Sequence, residues 1–286
     1  MISETIDINI NHVSETALLM VLCHSLDARS NNSILDDQSS INVLRTLQHN
    51  IGDSRSRIHK IINKEKIDKS LASYICFRAR HYDQEIRDYI SMFPDATIVN
   101  IGCGLDQRFD RIDNGKIEFY DIDFPDIINI KKHFSTETDR YHQISKSVFD
   151  FSWMGRIESD HVLFIAEGVF MYCDESDIRR LFLEITNRFP DSEMHCEMYN
   201  SRWLKNPIAK VSEFQKRLQY GIGENANFKF GIRNGSDLEK WHAGIQCIGE
   251  WSVVDTADPR LGPLRYLRHS DLFRKLFWTV HYQFLQ

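Results

Sequence analysis

Apolar residues over the first ninety positions recur at helical spacing. Ala17, Leu18, Val21, Leu22 and Leu26 fall on an i, i+3, i+4 pattern just after Ser14, a good N-cap, and predict a helix with one buried face. After a break at 31–37, Ile41, Val43, Leu44 and Leu47 predict a second short helix ended near Gly52. Ile67, Leu71, Ile75, Ala79, Tyr82, Ile86 and Ile90 then predict one long helix over about 64–92, closed by Pro94. From Asp95 the pattern changes to short apolar runs alternating with helices. Strands are expected at 97–101, 116–122, 141–145, 161–166 and 192–199. The fourth is the near-continuous apolar run of a strand covered on both faces. Helices are expected from Asp106, from Pro125 towards Phe134 with proline in the first turn, and from an Asp174 cap through Arg188. Residues 201–235 break the alternation. Trp203, Leu204, Val211, Phe214 and Leu218 predict a helical insertion, Ser236 to Glu239 form a capping-box pattern for the next helix, and two terminal strands are expected around 246–255 and 277–284.

This order predicts an α/β chain with a parallel sheet and ligands beyond the carboxyl ends of its strands. It is taken as a single domain over 1–286, with a helical cap at 1–94 and a core at 95–286. Gly102, Asp123, Asp150 and Glu167 all fall at strand ends. The first strand runs into Gly102-Cys103-Gly104, and the second ends in acid at Asp121 and Asp123, nineteen positions after Gly104. A carboxylate at that distance suits the ribose hydroxyls of a nucleotide-like ligand. A dinucleotide fingerprint wants a third small residue where Gln107 stands, so a ligand with an adenosine and no phosphate, S-adenosylmethionine, suits the turn better. Asp106 reads equally as a helix cap or a ligand contact, and Asp121 as the solvent-facing neighbour of Asp123 on alternating strand faces.

With 286 residues, 42% hydrophobic and 12% aromatic, the chain can bury a full core. No apolar run approaches the roughly 20 residues of a membrane span, and the start, with Glu4 and Asp7, lacks signal-peptide order, so a cytoplasmic protein without a membrane partner is expected. A net charge of −6 gives no general attraction to nucleic acid. Cys23, Cys76, Cys103, Cys173, Cys196 and Cys247 are spread singly, without the spacing of a metal site, and are expected to be reduced packing residues.

The segments 13–18, Ala79-Arg80, 101–108, 119–125 and 167–172, in this order and spacing, resemble the leucine carboxyl methyltransferase superfamily, in the branch of polyketide O-methyltransferases. Weaker similarity extends over 241–255. Gln107 replaces the usual threonine, and Cys23-His24 a small or aromatic residue followed by arginine. The resemblance implies a class I, Rossmann-like, seven-stranded and mainly parallel sheet that binds S-adenosylmethionine and releases S-adenosylhomocysteine, with no metal. Arg80 would grip the methionyl carboxylate through paired charge-assisted hydrogen bonds. Gly102 and Gly104 would let the backbone pass beneath the ligand, Asp123 would accept from the ribose, Asp150 and Phe151 would hold the adenine, and Glu167 would meet the ammonium. Phe151 and Trp153 have a rival reading as core. Tyr172, Tyr199 and Arg202 are weak candidates for the wall of an acceptor pocket.

The expected reaction is methyl-ester formation on a small-molecule carboxylic acid. A carboxylate is already ionised at neutral pH and needs no base, whereas a phenol would need one. His12, His24, His81, His195 and His242 stand in no base constellation recognisable from sequence. The rival readings are methylation of a protein carboxyl terminus and a non-catalytic S-adenosylmethionine-binding protein.

Overall fold

The computed structural model describes residues 15–51, 56–204 and 227–286. Four helices come first: α1 (Glu15–Ala28), α2 (Gln38–Ile51), α3 (Arg57–Lys64) and α4 (Lys69–Met92). Then follow β1 (Thr97–Ile101), α5 (Arg108–Ile112), β2 (Glu118–Asp123), α6 (Pro125–Lys131), β3 (Tyr141–Ser145), β4 (Val162–Ala166), α7 (Glu175–Arg188) and β5 (Glu193–Tyr199). The short helix Ser201–Leu204 leads away from β5, and β6 (Ile245–Trp251) and β7 (Phe277–Phe284) complete one sheet. Its order is β3-β2-β1-β4-β5-β7-β6, with β1 to β5 parallel and β7 antiparallel to both neighbours. Strand order reverses between β1 and β4, the place where an open α/β sheet leaves a crevice at its carboxyl edge.

Alternation along the strands divides the core. Ile98, Phe119, Leu163 and Ile165 pack against Tyr82, Ile86, Tyr89 and Ile90 of α4. Val99, Ile101, Phe164 and Met194 face Ile178, Leu181, Phe182 and Ile185 of α7 on the other side. The layer of α1, α2 and α3 buries Leu18, Leu22, Val43, Leu44, Leu47, Ile58 and Ile62 against Leu105 after β1 and Ile127 and Ile130 of α6. It thereby roofs the carboxyl edge of the sheet.

Several elements differ from expectation. The long helix starts later than expected, at Lys69, where the Asp68 side chain accepts from the Leu71 N–H at 2.9 Å, and it is preceded by an unexpected short helix, α3, that stops at Glu65 in the left-handed region (φ 49°). The helix after β1 begins at Arg108 rather than Asp106. Between β3 and β4, where a loop with Trp153 and Gly155 is expected, the chain forms a 3-10 turn, Phe151–Arg156. The turn Gly235–Trp241 is also 3-10, and its capping box is Asn234 with Asp237, two positions before the expected pair at each end. β6 ends at Trp251, since the chain turns into a 3-10 segment, Val253–Thr256, boxed by Ser252 and Asp255. Val211, Phe214 and Leu218 of the expected insertion, Gly52 and the Ser14 cap lie outside the described residues. All six cysteines are free, and no described helix is long and apolar enough to cross a membrane.

Candidate active site

Two glycines shape the turn after β1. Gly102 (φ 64°) and Gly104 (φ 54°) both occupy the left-handed region, and a Cβ on Gly102 would stand 2.5 Å from Val169 Cγ2. Only glycine takes that conformation without strain. From the end of β2, Asp123 Oδ2 accepts the Gly104 N–H at 2.8 Å while Oδ1 accepts the Phe124 N–H at 2.7 Å. Burial nevertheless pushes the Asp123 carboxyl up to about 6, against those two donors. Asp121 is not solvent-facing. Residues two apart on a strand share a face, and Asp121 is buried with Lys131 Nζ at 2.9 Å, Asn100 Nδ2 at 2.8 Å and the Tyr141 hydroxyl at 2.6 Å.

A second layer is an ion network. Arg78 on α4 donates from Nε to Glu167 Oε1 at 2.7 Å and from Nη1 to Glu197 Oε2 at 2.8 Å. Among the described residues its Nη2 meets only a weak acceptor, Met20 Sδ at 3.4 Å. Arg108 at the start of α5 bonds Glu167 Oε2 at 2.6 Å and Asp83 Oδ1 at 2.8 Å, and Arg111 bonds Asp83, Asp106 and Asp37. Burial raises Glu167 and Asp106, but the neighbouring guanidiniums outweigh it and hold both below the usual carboxylate range. Glu197 goes the other way, because its burial outweighs Arg78. Three guanidiniums face five carboxylates, Asp37, Asp83, Asp106, Glu167 and Glu197, so the ionised network carries an excess of two negative charges.

These elements enclose a cavity of about 600 Å³, within the range of small-molecule sites. Its polar wall includes Arg78, Gly102, Gly104, Asp106, Asp123 and Glu167; its apolar wall is Leu19, Met20, Ile67, Leu71 and Ile75 from α1, α4 and the link before α4. Phe124, Phe149 and Tyr172 also line it.

Of the expected residues, Gly102, Gly104, Asp106, Asp123, Glu167 and Tyr172 are brought together here. Arg80 is not: it is exposed, with its guanidinium 4.9 Å from the Phe77 ring centre, and Arg78 takes the cavity position. The pattern held the signal, since Arg78 lies three positions after Ile75 and four before Tyr82, on the buried stripe of α4. Asp150 is exposed, caps the 3-10 turn through the Ser152 N–H at 3.2 Å and pairs with Lys146; Phe151 sits under Arg180. Phe149 occupies the cavity instead of either, and Trp153 is core. Asp106 is bound by arginines rather than capping a helix. Tyr199 is buried among Phe228 and Phe277, and Arg202 is exposed; neither lines the cavity. Sequence reading missed Glu197 and the pairing of His24, a cavity residue, with Asp37 at 3.1 Å.

A seven-stranded sheet of this order, with a glycine turn and acidic strand ends beneath a helical roof, defines a class I S-adenosylmethionine-dependent methyltransferase. Residues 17–186 match the profile of leucine carboxyl methyltransferase, and the chain belongs to that family. It is 27% identical over 251 residues to the tetracenomycin polyketide synthesis O-methyltransferase TcmP of Streptomyces glaucescens, covering 87% of this chain and 86% of the relative. It is 27% identical over 204 residues to the S-adenosyl-L-methionine-dependent methyltransferase dpfgK of Gibberella zeae, covering 67% and 66%. In fold it is similar to the crystal structure of a duf574 family protein from Streptomyces avermitilis, with a TM-score of 0.56, 10% sequence identity and coverage of 96% of this chain and 99% of that one.

Proposed function

We propose that the chain methylates a carboxyl group of a small, largely apolar acid of polyketide-like character, giving a methyl ester. The observation that carries this reading is the division of one cavity into a charged wall at the strand ends and an apolar wall from α1 and α4.

The charged wall fits S-adenosylmethionine, whose sulfonium and ammonium suit a network with two carboxylates in excess. Arg78 Nη2 is the donor for the methionyl carboxylate, which would replace the weak Met20 thioether with a charged acceptor. Gly102 and Gly104 give the backbone room, Asp123 accepts from the ribose hydroxyls, Phe124 and Phe149 offer flat apolar contact to the adenine, and Glu167 faces the ammonium. When bound, the cofactor supplies an electrophilic methyl group. What remains for the protein is to hold the acceptor in line with it, within about 3 to 3.5 Å, and to keep water away. Met20, Ile67, Leu71 and Ile75 do the latter, and an ionised carboxylate needs no proton removed.

A second reading has one specific support. His24 lines the cavity with its Nδ1 against buried Asp37, the arrangement of an oriented general base, and would serve a hydroxyl acceptor. Incubation with methyl-labelled S-adenosylmethionine and a panel of aromatic acids and phenols separates the two. The carboxyl reading expects label on acids, released as methanol by mild alkali. Label only on phenols, stable to alkali and lost in His24→Gln, overturns it in favour of the hydroxyl reading; cofactor binding with no transfer to any member of the panel favours a non-catalytic protein.

A further inference from the structure

Outside the cavity, α4 crosses β5 and β7 over a seam of imidazoles and carboxylates that the methyl-transfer chemistry leaves unused. His195 and His281 are directly opposite in the antiparallel register of β5 and β7, and their rings stack at 3.8 Å between centroids. Glu193, two positions before His195 and so on the same face, puts Oε2 2.6 Å from His281 Nε2. From above, Glu85 of α4 approaches His195 Nε2 at 3.6 Å, and His81, one turn earlier, lies 3.4 Å from the other Glu85 oxygen.

The geometry points to a binding site for a divalent transition metal of the Zn²⁺ type, with Glu193, His195 and His281 as ligands. One donor atom from each of the three lies within 4.8 Å of the other two. A tetrahedral ion with bonds of about 2.0 to 2.2 Å holds its donors roughly 3.4 Å apart, so modest rotation of the side chains closes the set. Imidazole with carboxylate is the donor chemistry that Zn²⁺, Co²⁺ and Ni²⁺ accept. Glu85 stands next to the set as a fourth ligand or as a partner that orients His195. The charge balance also suits a dication: among the described residues, the ion-pair partners of Glu85 and Glu193 are histidines alone. His24, Asp37 and Asp106 form another close trio, but Arg111 Nη1 already lies 2.9 Å from Asp37 and 2.8 Å from Asp106, so a cation there is repelled. The side chains of His281 and Glu193 keep 22% and 17% of their exposure, which leaves the seam open to ions from solvent.

The test is titration of the chelator-treated full chain with Zn²⁺ by calorimetry and with Co²⁺ by visible absorption. Expected are one equivalent of bound metal, a four-coordinate cobalt spectrum and a rise in melting temperature. His195→Gln and His281→Gln should each weaken binding on the order of tenfold or more, with metal-free melting of each variant recorded to establish folding. His142→Gln, on β3, should bind as the unaltered chain does. Uptake below one equivalent, or the same affinity in folded His195→Gln and His281→Gln, overturns the assignment. Neither result touches the methyltransferase reading, because none of the three ligands lines the cavity.

Discussion

Arg78 and Glu167 stand 89 positions apart in the chain and meet with Nε donating to Oε1 at 2.7 Å, tying α4 to the carboxyl end of β4. The contact fixes the guanidinium in the cavity wall; with Nη1 donating to Glu197, Nη2 is left to the Met20 thioether.

Arg78 and Arg80 should therefore part company on mutation. Arg78→Lys keeps the charge and loses the fork, and should weaken S-adenosylmethionine binding by about 1.5 to 3 kcal/mol, the worth of a hydrogen bond to a charged group. Arg78→Ala should in addition destabilise the fold by about 3 to 5 kcal/mol, since it strips a partner from two buried carboxylates. Arg80→Ala, at an exposed position, should stay within about 0.5 kcal/mol in both measurements. Calorimetric titration and urea unfolding of the three variants check this, and equal loss of affinity in Arg80→Ala would count against Arg78.

Asp123 should make cofactor binding depend on pH. Its carboxyl is raised to about 6 by burial, so the protonated form grows as pH falls through that value, and this form is a poorer acceptor for ribose hydroxyls. Affinity should be flat above about pH 7 and fall below pH 6, approaching about tenfold per unit where ionisation is the whole requirement. Asp123→Asn should be weaker at pH 8 and should lose the dependence. A wild-type affinity constant between pH 5 and 8 would exclude the role.

Gly102→Ala should be the costly glycine substitution in the turn. It forces an L side chain to φ 64°, about 1 to 2 kcal/mol by itself, and drives a methyl to 2.5 Å from Val169 Cγ2. Among the described residues, Gly104→Ala shares the backbone strain but meets only Ala17 Cβ at 3.3 Å, and Gly155→Ala meets nothing within 4 Å. Urea midpoints should therefore order Gly102→Ala below Gly104→Ala below Gly155→Ala.

The buried Lys131–Asp121 pair offers a double-mutant cycle. Lys131→Met alone should cost about 3 to 5 kcal/mol, because Asp121 stays buried beside neutral partners such as Asn100 and Tyr141. Adding Asp121→Asn removes the stranded charge and should recover part of the loss, seen as a coupling of opposite sign in unfolding free energies. Strict additivity would show that the pair is not coupled.

Much of the site was legible wherever a local rule governs. Gly102, Gly104 and Asp123 are recognisable because a strand must end in a left-handed turn there and the next strand must end in acid beside it. Asp121 could also have been read correctly, since a spacing of two puts it on Asp123's face. The helix at 57–64 was harder to see. It is only eight residues long, and its end is set by Glu65 adopting φ 49° and by Asp68 capping the start of α4.

By itself the chain's order of residues determined the strands β1 to β5 and β7, the glycine turn and the family, because periodicity and backbone conformation are short-range properties. Only the tertiary structure decided which charges face each other. Glu197 on β5 reaches Arg78 across 119 positions, Asp37 before α2 holds both His24 and Arg111, and Phe149 rather than Phe151 turns into the cavity. Those pairings follow from how α1 and α4 lie across the sheet, and that placement is set by the burial of whole apolar faces, which no single stretch of sequence encodes.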